Sequence, residues 1–167
     1  MGMMGISMFL VGAVLLLNGL WLLGKADPRP VGFFNLLVGI LCAVMAINNH
    51  FHAATLAEHL STANTLLFAL TYLMVAANNL LNWDGRALGW FCLYVAGATV
   101  PNIAASGVEG NLRLASIWLA WGILWYVFFL DLVRHHPAAT RLAPYLSIAI
   151  GLLLTGLPGY LILWNKW

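Results

Sequence analysis

The sequence predicts an all-α membrane protein of six transmembrane helices, paired as three hairpins in a single domain over residues 1–167. Three observations carry this. Of 167 residues, 63% are hydrophobic and 7% are charged, whereas about a quarter are charged in a soluble domain. Apolar stretches recur at roughly 20 residues, the length a helix needs to cross a hydrocarbon core about 30 Å thick. Lys and Arg fall near the ends of these stretches, where they reach the interface. Spans are read at 4–24, 31–49, 62–82, 87–106, 114–134 and 142–163, each satisfying its own backbone hydrogen bonds as hydrocarbon requires. Together they use nearly the whole chain and leave no room for a soluble domain.

The first stretch, Met3 to Leu23, has no Lys or Arg ahead of it and runs into the basic turn Lys25-Ala-Asp27-Pro28-Arg29-Pro30. It reads as a span rather than a removable signal. Pro28 and Pro30, Asp84-Gly85, Pro101 and Pro137 punctuate the later stretches. The turns after the first, third and fifth spans hold Lys25, Arg29, Arg86, Arg134 and Arg141, and the opposite side holds Arg113 and Lys166. Under the positive-inside rule this bias predicts those turns in the cytoplasm and both termini on the outer side of the cytoplasmic membrane. A weak repeat accompanies it. Odd spans end in Asn18, Asn78-Asn79 and Asp131, a basic turn follows each, and the next helix carries Gly39, Gly97 or Gly151. Chance similarity among such helices is the rival reading.

Composition also excludes functions. A net charge of +2 points to no nucleic-acid partner. Asp27, Asp84 and Asp131 are read at the inner face, and Glu58 and Glu109 in the outer loops. No ionisable group is left at mid-span for ion coupling or a proton relay. His50, His52 and His59 cluster towards the outer side and His135-His136 towards the inner, which reads as solvated histidines and not a buried metal site. Cys42 and Cys92 lie in apolar spans and read as buried free thiols. The expectation is no enzyme, no catalytic residues, no metal and no cofactor.

The informative segment is Ser116-Ile-Trp-Leu-Ala-Trp-Gly-Ile-Leu-Trp-Tyr126. Trp118, Trp121 and Trp125 are spaced i, i+3, i+7 and share one helix face. Tryptophan normally concentrates at the membrane interfaces, yet two of these lie near mid-span. They either fill space between helices or form a flat aromatic slot for a planar, uncharged solute, with the indole N–H as a donor.

At this segment the chain resembles the AmiS/UreI family of amide and urea channels, over nearly its whole length. The strongest pieces are Trp118-Leu-Ala-Trp-Gly-Ile-Leu-Trp125 and Leu66-Leu-Phe-Ala-Leu-Thr-Tyr-Leu73 followed by Ala76-Ala-Asn78. Asn18-Gly19, Lys25-Ala-Asp-Pro28, Asn35, Val38-Gly39, Pro144-Tyr-Leu146, Gly151 and Pro158 support them. The resemblance implies a homohexamer with one pore per protomer and small uncharged amides as permeants. It implies Trp121, Leu124 and Trp125 at an inner constriction, and Trp118 with Val11 and Leu15 at an outer narrowing. By the same matching, Leu70 and Met74 stand where the acid-gated members carry aromatics, and Ile150 where they carry a buried glutamate. Their long outer loop is shortened here to about Asn48–Ser61. These departures predict an aliphatic slot suited to acetamide and propionamide as well as urea. Acid gating through His50, His52, Glu58 and His59 is the first alternative. A non-transporting scaffold packed through Gly12, Ala76, Gly97, Ala104 and Gly151 is the second.

Overall fold

The computed structural model describes residues 2–167, with side chains from Met4 onward. It contains six helices long and apolar enough to cross a membrane. They are α1 (Gly2–Leu22), α2 (Pro28–His52), α3 (Leu56–Leu81), α4 (Arg86–Val108), α5 (Leu112–Leu132) and α6 (Pro137–Leu163).

The helices overrun the expected spans at several ends, and local chemistry shows why. Pro28 and Pro137 sit at first-turn positions, where a missing N–H costs nothing and the fixed φ favours the helix. Thr55 and Glu58 form a reciprocal capping box, which starts α3 six residues before its apolar stretch. The outer loop read at Asn48–Ser61 therefore shrinks to Ala53–Thr55, and His50, His52, Glu58 and His59 all lie on helix ends. Pro101 does not punctuate; α4 runs through it to Val108. Asn82, in the left-handed region at φ 56°, ends α3. The exposed Asp84 carboxyl is held below its usual pKa by hydrogen bonds from Arg86.

The helices form a ring in chain order. Each backbone packs against the preceding and following helix, with α6 closing on α1, and no backbone contact crosses the ring among the described residues. Packing is uneven. The intimate pairs are α2 with α3, α4 with α5, and α1 with α6, whereas α1–α2, α3–α4 and α5–α6 are looser. The expected hairpins, joined by the basic turns, are thus the looser pairs.

Glycine sets the α1–α6 seam. Gly5, Gly12 and Gly19 recur every seventh residue of α1 and each faces α6, Gly12 against its backbone, Gly19 against the Ile148 side chain and the Pro144 oxygen, and Gly5 against the Leu163 and Ile162 side chains. A Cβ on Gly12 would strike the Gly156 Cα and lie 2.7 Å from the Gly151 oxygen. A Cβ on Gly19 would lie 2.6 Å from the Pro144 oxygen. Where α6 meets this seam it widens into a π-helical stretch, Ile150–Gly156. Of the three glycines of the repeat, Gly39 packs against Leu73 and Gly151 against α1, whereas Gly97 faces open space and has no packing role.

Candidate functional site: a partitioned lumen

A ring without cross-contacts leaves a central lumen, in which side chains leave two cavities open. One opens towards the end that carries the basic turns, has a volume of about 90 Å³, and is lined by Asn18, Trp21, Tyr72, Leu124, Trp125 and Asp131 among others. The other opens towards the end that carries the termini, has a volume of about 330 Å³, and is lined by Ser7, Val11, Asn64, Asn102, Trp118 and Glu109 among others. Both exceed the ~10–15 Å³ that one water needs. Asn18, Asn78, Asn79 and Asp131, the polar ends of the repeated odd spans, all line the basic-end cavity.

Phe68 of α3 and Trp121 of α5 line both cavities, and no other described residue does. Their rings meet edge to face across the lumen with centroids 4.7 Å apart. Trp125 stands 4.8 Å from Phe68, and Trp118 stands 5.1 Å from Trp121 at 89°. The partition is thus four aromatic rings held by two non-adjacent helices. Among the described residues, Glu109 and Asp131 are the only Asp, Glu, Lys, Arg or His in the linings of the two cavities, one at each mouth.

Trp121 is fixed from behind. Its Nε1–H donates to Thr155 Oγ1 at 2.9 Å, and that hydroxyl donates to the Ile150 oxygen at 2.9 Å. Thr155 is fully buried in the π-helical stretch; widened turns of this kind frequently mark functional positions. The Trp121 N–H, expected to serve a solute, is therefore committed to the protein. The Trp118 and Trp125 N–H groups have no protein partner among the described residues. Replacing Thr155 by Val is expected to cost about 1–2 kcal/mol, the price of a lost buried hydrogen bond. It should also shift the Trp121 indole ¹⁵N–¹H resonance and alter solute selectivity, and Thr155→Ser should restore both. An unmoved resonance in Thr155→Val would show that the contact does not hold the ring.

The expected site residues divide. Trp118 and Val11 line the terminus-end cavity, whereas Leu15, Leu124 and Trp125 line the basic-end one. Val11 and Leu15 therefore do not share one narrowing. Leu70 is corrected outright: it is 46% exposed on the outer surface of the bundle, because two residues along a helix from Phe68 is a turn of about 200°. Met74 is partly buried and Ile150 is buried in the core, but neither lines a cavity. At the partition the α3 side of the lumen is aromatic, through Phe68 and Tyr72, with the aliphatic Val75 further towards the basic end. Stepping back from Asn79 by helical spacing reaches Val75, Tyr72 and Phe68, so the face was present in the sequence. Nothing in the sequence signalled Thr155, since its role depends on a widened turn.

His50 and His59 approach across the short loop with ring centroids 5.3 Å apart, and the Glu58 carboxylate is occupied by the Thr55 cap. None of His50, His52, Glu58 and His59 lines a cavity. Solute flux is therefore expected to change only mildly between about pH 5 and 8, the range in which imidazole titrates. Steep opening on acidification that disappears when His50, His52 and His59 are all replaced by Gln would contradict this.

A chain-ordered ring of six membrane-length helices, with aromatic rings between the two cavities of its lumen, defines a multi-pass membrane protein of the transporting kind. The model of the AmiS/UreI family transporter matches residues 3–166, and the chain belongs to that family. The family is one of transporters, not enzymes. A Mycolicibacterium smegmatis protein named as a candidate transporter of amidate substrates is 35% identical, covering 98% of this chain and 78% of that protein. The acid-activated urea channel of Helicobacter pylori is 31% identical, covering 99% of this chain and all of that one. The crystal structure of the H. pylori urea channel superposes with a TM-score of 0.87, covering 98% of this chain and 99% of that one at 31% identity. Its closed state, seen by electron cryomicroscopy, superposes at 0.84 with 33% identity and 98% of each chain covered.

Proposed function

We propose that this protein is a passive channel for small uncharged amides, acetamide, propionamide and urea among them, across the cytoplasmic membrane. The observation that carries this reading is the Phe68–Trp121 partition. Aromatic faces separate two cavities along a lumen whose charged groups stand only at the mouths. A planar neutral solute slides between such rings, whereas an ion finds nothing to replace its hydration. The excess of Lys and Arg at the basic end supports a cytoplasmic placement of that end and outer termini. One pore serves each protomer, in a homohexamer as the family resemblance implies. The membrane lipid contacts the exposed apolar side chains of the outer surface, such as Phe33, Leu37, Ile40 and Val44 on α2.

The basic-end cavity is walled by Leu15, Leu22, Val75, Leu88 and Leu132 as well as by aromatics. Each CH₂ that a solute buries there contributes about 0.8 kcal/mol, so acetamide and propionamide are expected to permeate at least as well as urea. Stopped-flow light scattering on proteoliposomes tests the proposal. The expected result is amide flux that does not saturate over a wide concentration range and is indifferent to membrane potential. Absence of amide flux would leave a scaffold, and uphill accumulation driven by a proton or sodium gradient would mean coupled transport. A protein that passes urea but excludes acetamide would overturn the stated preference.

A further inference from the structure

Two reciprocal carboxamide pairs with the same hydrogen-bond pattern bridge neighbouring helices, and they differ in how far they are buried and in the volume they face. Asn18 and Asn35 join α1 to α2 at 3.1 and 2.6 Å, and Asn35 also donates to the Val31 oxygen. Asn35 is fully buried and Asn18 nearly so, touching only the narrow 90 Å³ cavity, so this pair is an interhelical tie of the kind polar residues supply in membranes. The second pair, Asn64 of α3 and Asn102 of α4, exchanges bonds at 2.9 and 3.2 Å. It lies in the wall of the 330 Å³ terminus-end cavity and is only partly buried. It also spans the most loosely packed junction in the ring, α3–α4. A tie at that junction leaves part of its outer edge facing the cavity.

The inventory of those edges is specific. Asn102 Nδ2 spends one N–H on Asn64 and the other on the Ala98 oxygen. Asn64 Nδ2 spends one N–H on Asn102 and keeps one. Each Oδ1 accepts one bond and keeps a second lone pair. One donor and two acceptor positions therefore remain. A primary carboxamide brings the converse set, two N–H donors and one carbonyl oxygen. Trp118 lines the same cavity and offers an apolar face and an unpartnered indole N–H to the flat side of such a solute.

Resting on the channel reading above, we propose that the Asn64–Asn102 pair is a docking station for the carboxamide of the permeating solute. It selects primary amides in the terminus-end vestibule before they meet the Phe68–Trp121 partition. A docked amide exchanges its hydration for the free edges of the pair, and its release towards the rings keeps the pair itself intact. N-methylated amides lose donors for which the station has acceptors, and solutes without an amide group match it less well.

The test uses the full-length protein with asparagine side chains labelled with ¹⁵N, acetamide as the probe and ethylene glycol as the amide-free control. Acetamide is expected to move the Asn64 Nδ2 resonances while leaving Asn35 in place, and ethylene glycol to move neither. In proteoliposomes, replacing both residues together, Asn64→Leu with Asn102→Leu, removes the station without stranding a polar partner. Acetamide flux is expected to fall by about five-fold, one net hydrogen bond's worth, with N,N-dimethylacetamide flux and the melting temperature unchanged. Asn64 resonances unmoved by acetamide, or a double variant with wild-type acetamide flux, would overturn the station while leaving the channel standing. A double variant that melts earlier while keeping the wild-type ratio of acetamide to N,N-dimethylacetamide flux would reduce the pair to a tie like Asn18–Asn35, again overturning the station. Absence of amide flux in wild-type vesicles would instead remove the channel reading on which the station rests.

Discussion

Truncating either ring of the partition, by Phe68→Ala or Trp121→Ala, is expected to merge the two cavities and abolish size selection while the protein stays folded. Both residues line both cavities and meet edge to face at 4.7 Å, so removing one leaves only its partner between the two volumes, with no ring facing it across the lumen. Butyramide and larger amides, slow in the wild type, should then approach the rate of acetamide. If the rings were ordinary packing, each truncation would instead cost the ~3–5 kcal/mol typical of a large aromatic in a filled core. A ring bordered by open volume on two sides has fewer neighbours to lose, so Phe68→Ala is expected to cost less than about 3 kcal/mol, and Trp121→Ala about 1–2 kcal/mol more than Phe68→Ala, because it also loses the bond to Thr155. Trp125→Ala is a graded comparison, because Trp125 packs on Phe68 but lines only the basic-end cavity. Flux series and thermal melts on one preparation decide the matter. Unchanged selectivity with a large loss of stability would return these residues to a purely structural role.

The largest effect on stability is expected at Gly12. A methyl group there meets the backbone of α6, the Gly156 Cα and nitrogen and the Gly151 oxygen. None of these can rotate away. Gly12→Ala is expected to cost about 1–3 kcal/mol, as overpacking of a close contact does. Gly12→Leu should prevent α1 from closing the ring. Because the same seam carries the π-helical stretch that holds Thr155 behind Trp121, Gly12→Ala should also disturb selectivity. Gly97→Ala is the control: nothing lies within 4 Å of the position, and exchanging Gly for Ala inside a helix is favourable by up to about 1 kcal/mol. Equal melting temperatures for Gly12→Ala and Gly97→Ala would show that the α1–α6 contact is looser than described.

Much of this protein follows from its sequence for simple physical reasons. Hydrocarbon admits only hydrogen-bonded helices of a set length, so composition and the apolar stretches determine six spans. Lys and Arg avoid the core, so the basic turns mark one end. The Trp118–Trp121–Trp125 stripe announces a shared face because helical periodicity is local. What faces what was decided by tertiary structure. Ring order, and with it a lumen in place of a packed centre, depends on how closely backbones approach. That is governed by the glycines of the α1–α6 seam and the intimate α2–α3 and α4–α5 pairs. The rotation of α3 was likewise set by its neighbours, which turned Phe68 and Tyr72 inward and Leu70 outward. On a helix that is apolar nearly all round, hydrophobic pattern cannot specify which side meets lipid and which the lumen. Thr155 reaches Trp121 from a widened turn, and Asn64 meets Asn102 across 38 positions of chain. Such pairings exist only once the ring has closed, because each partner alone is an ordinary polar residue in a span.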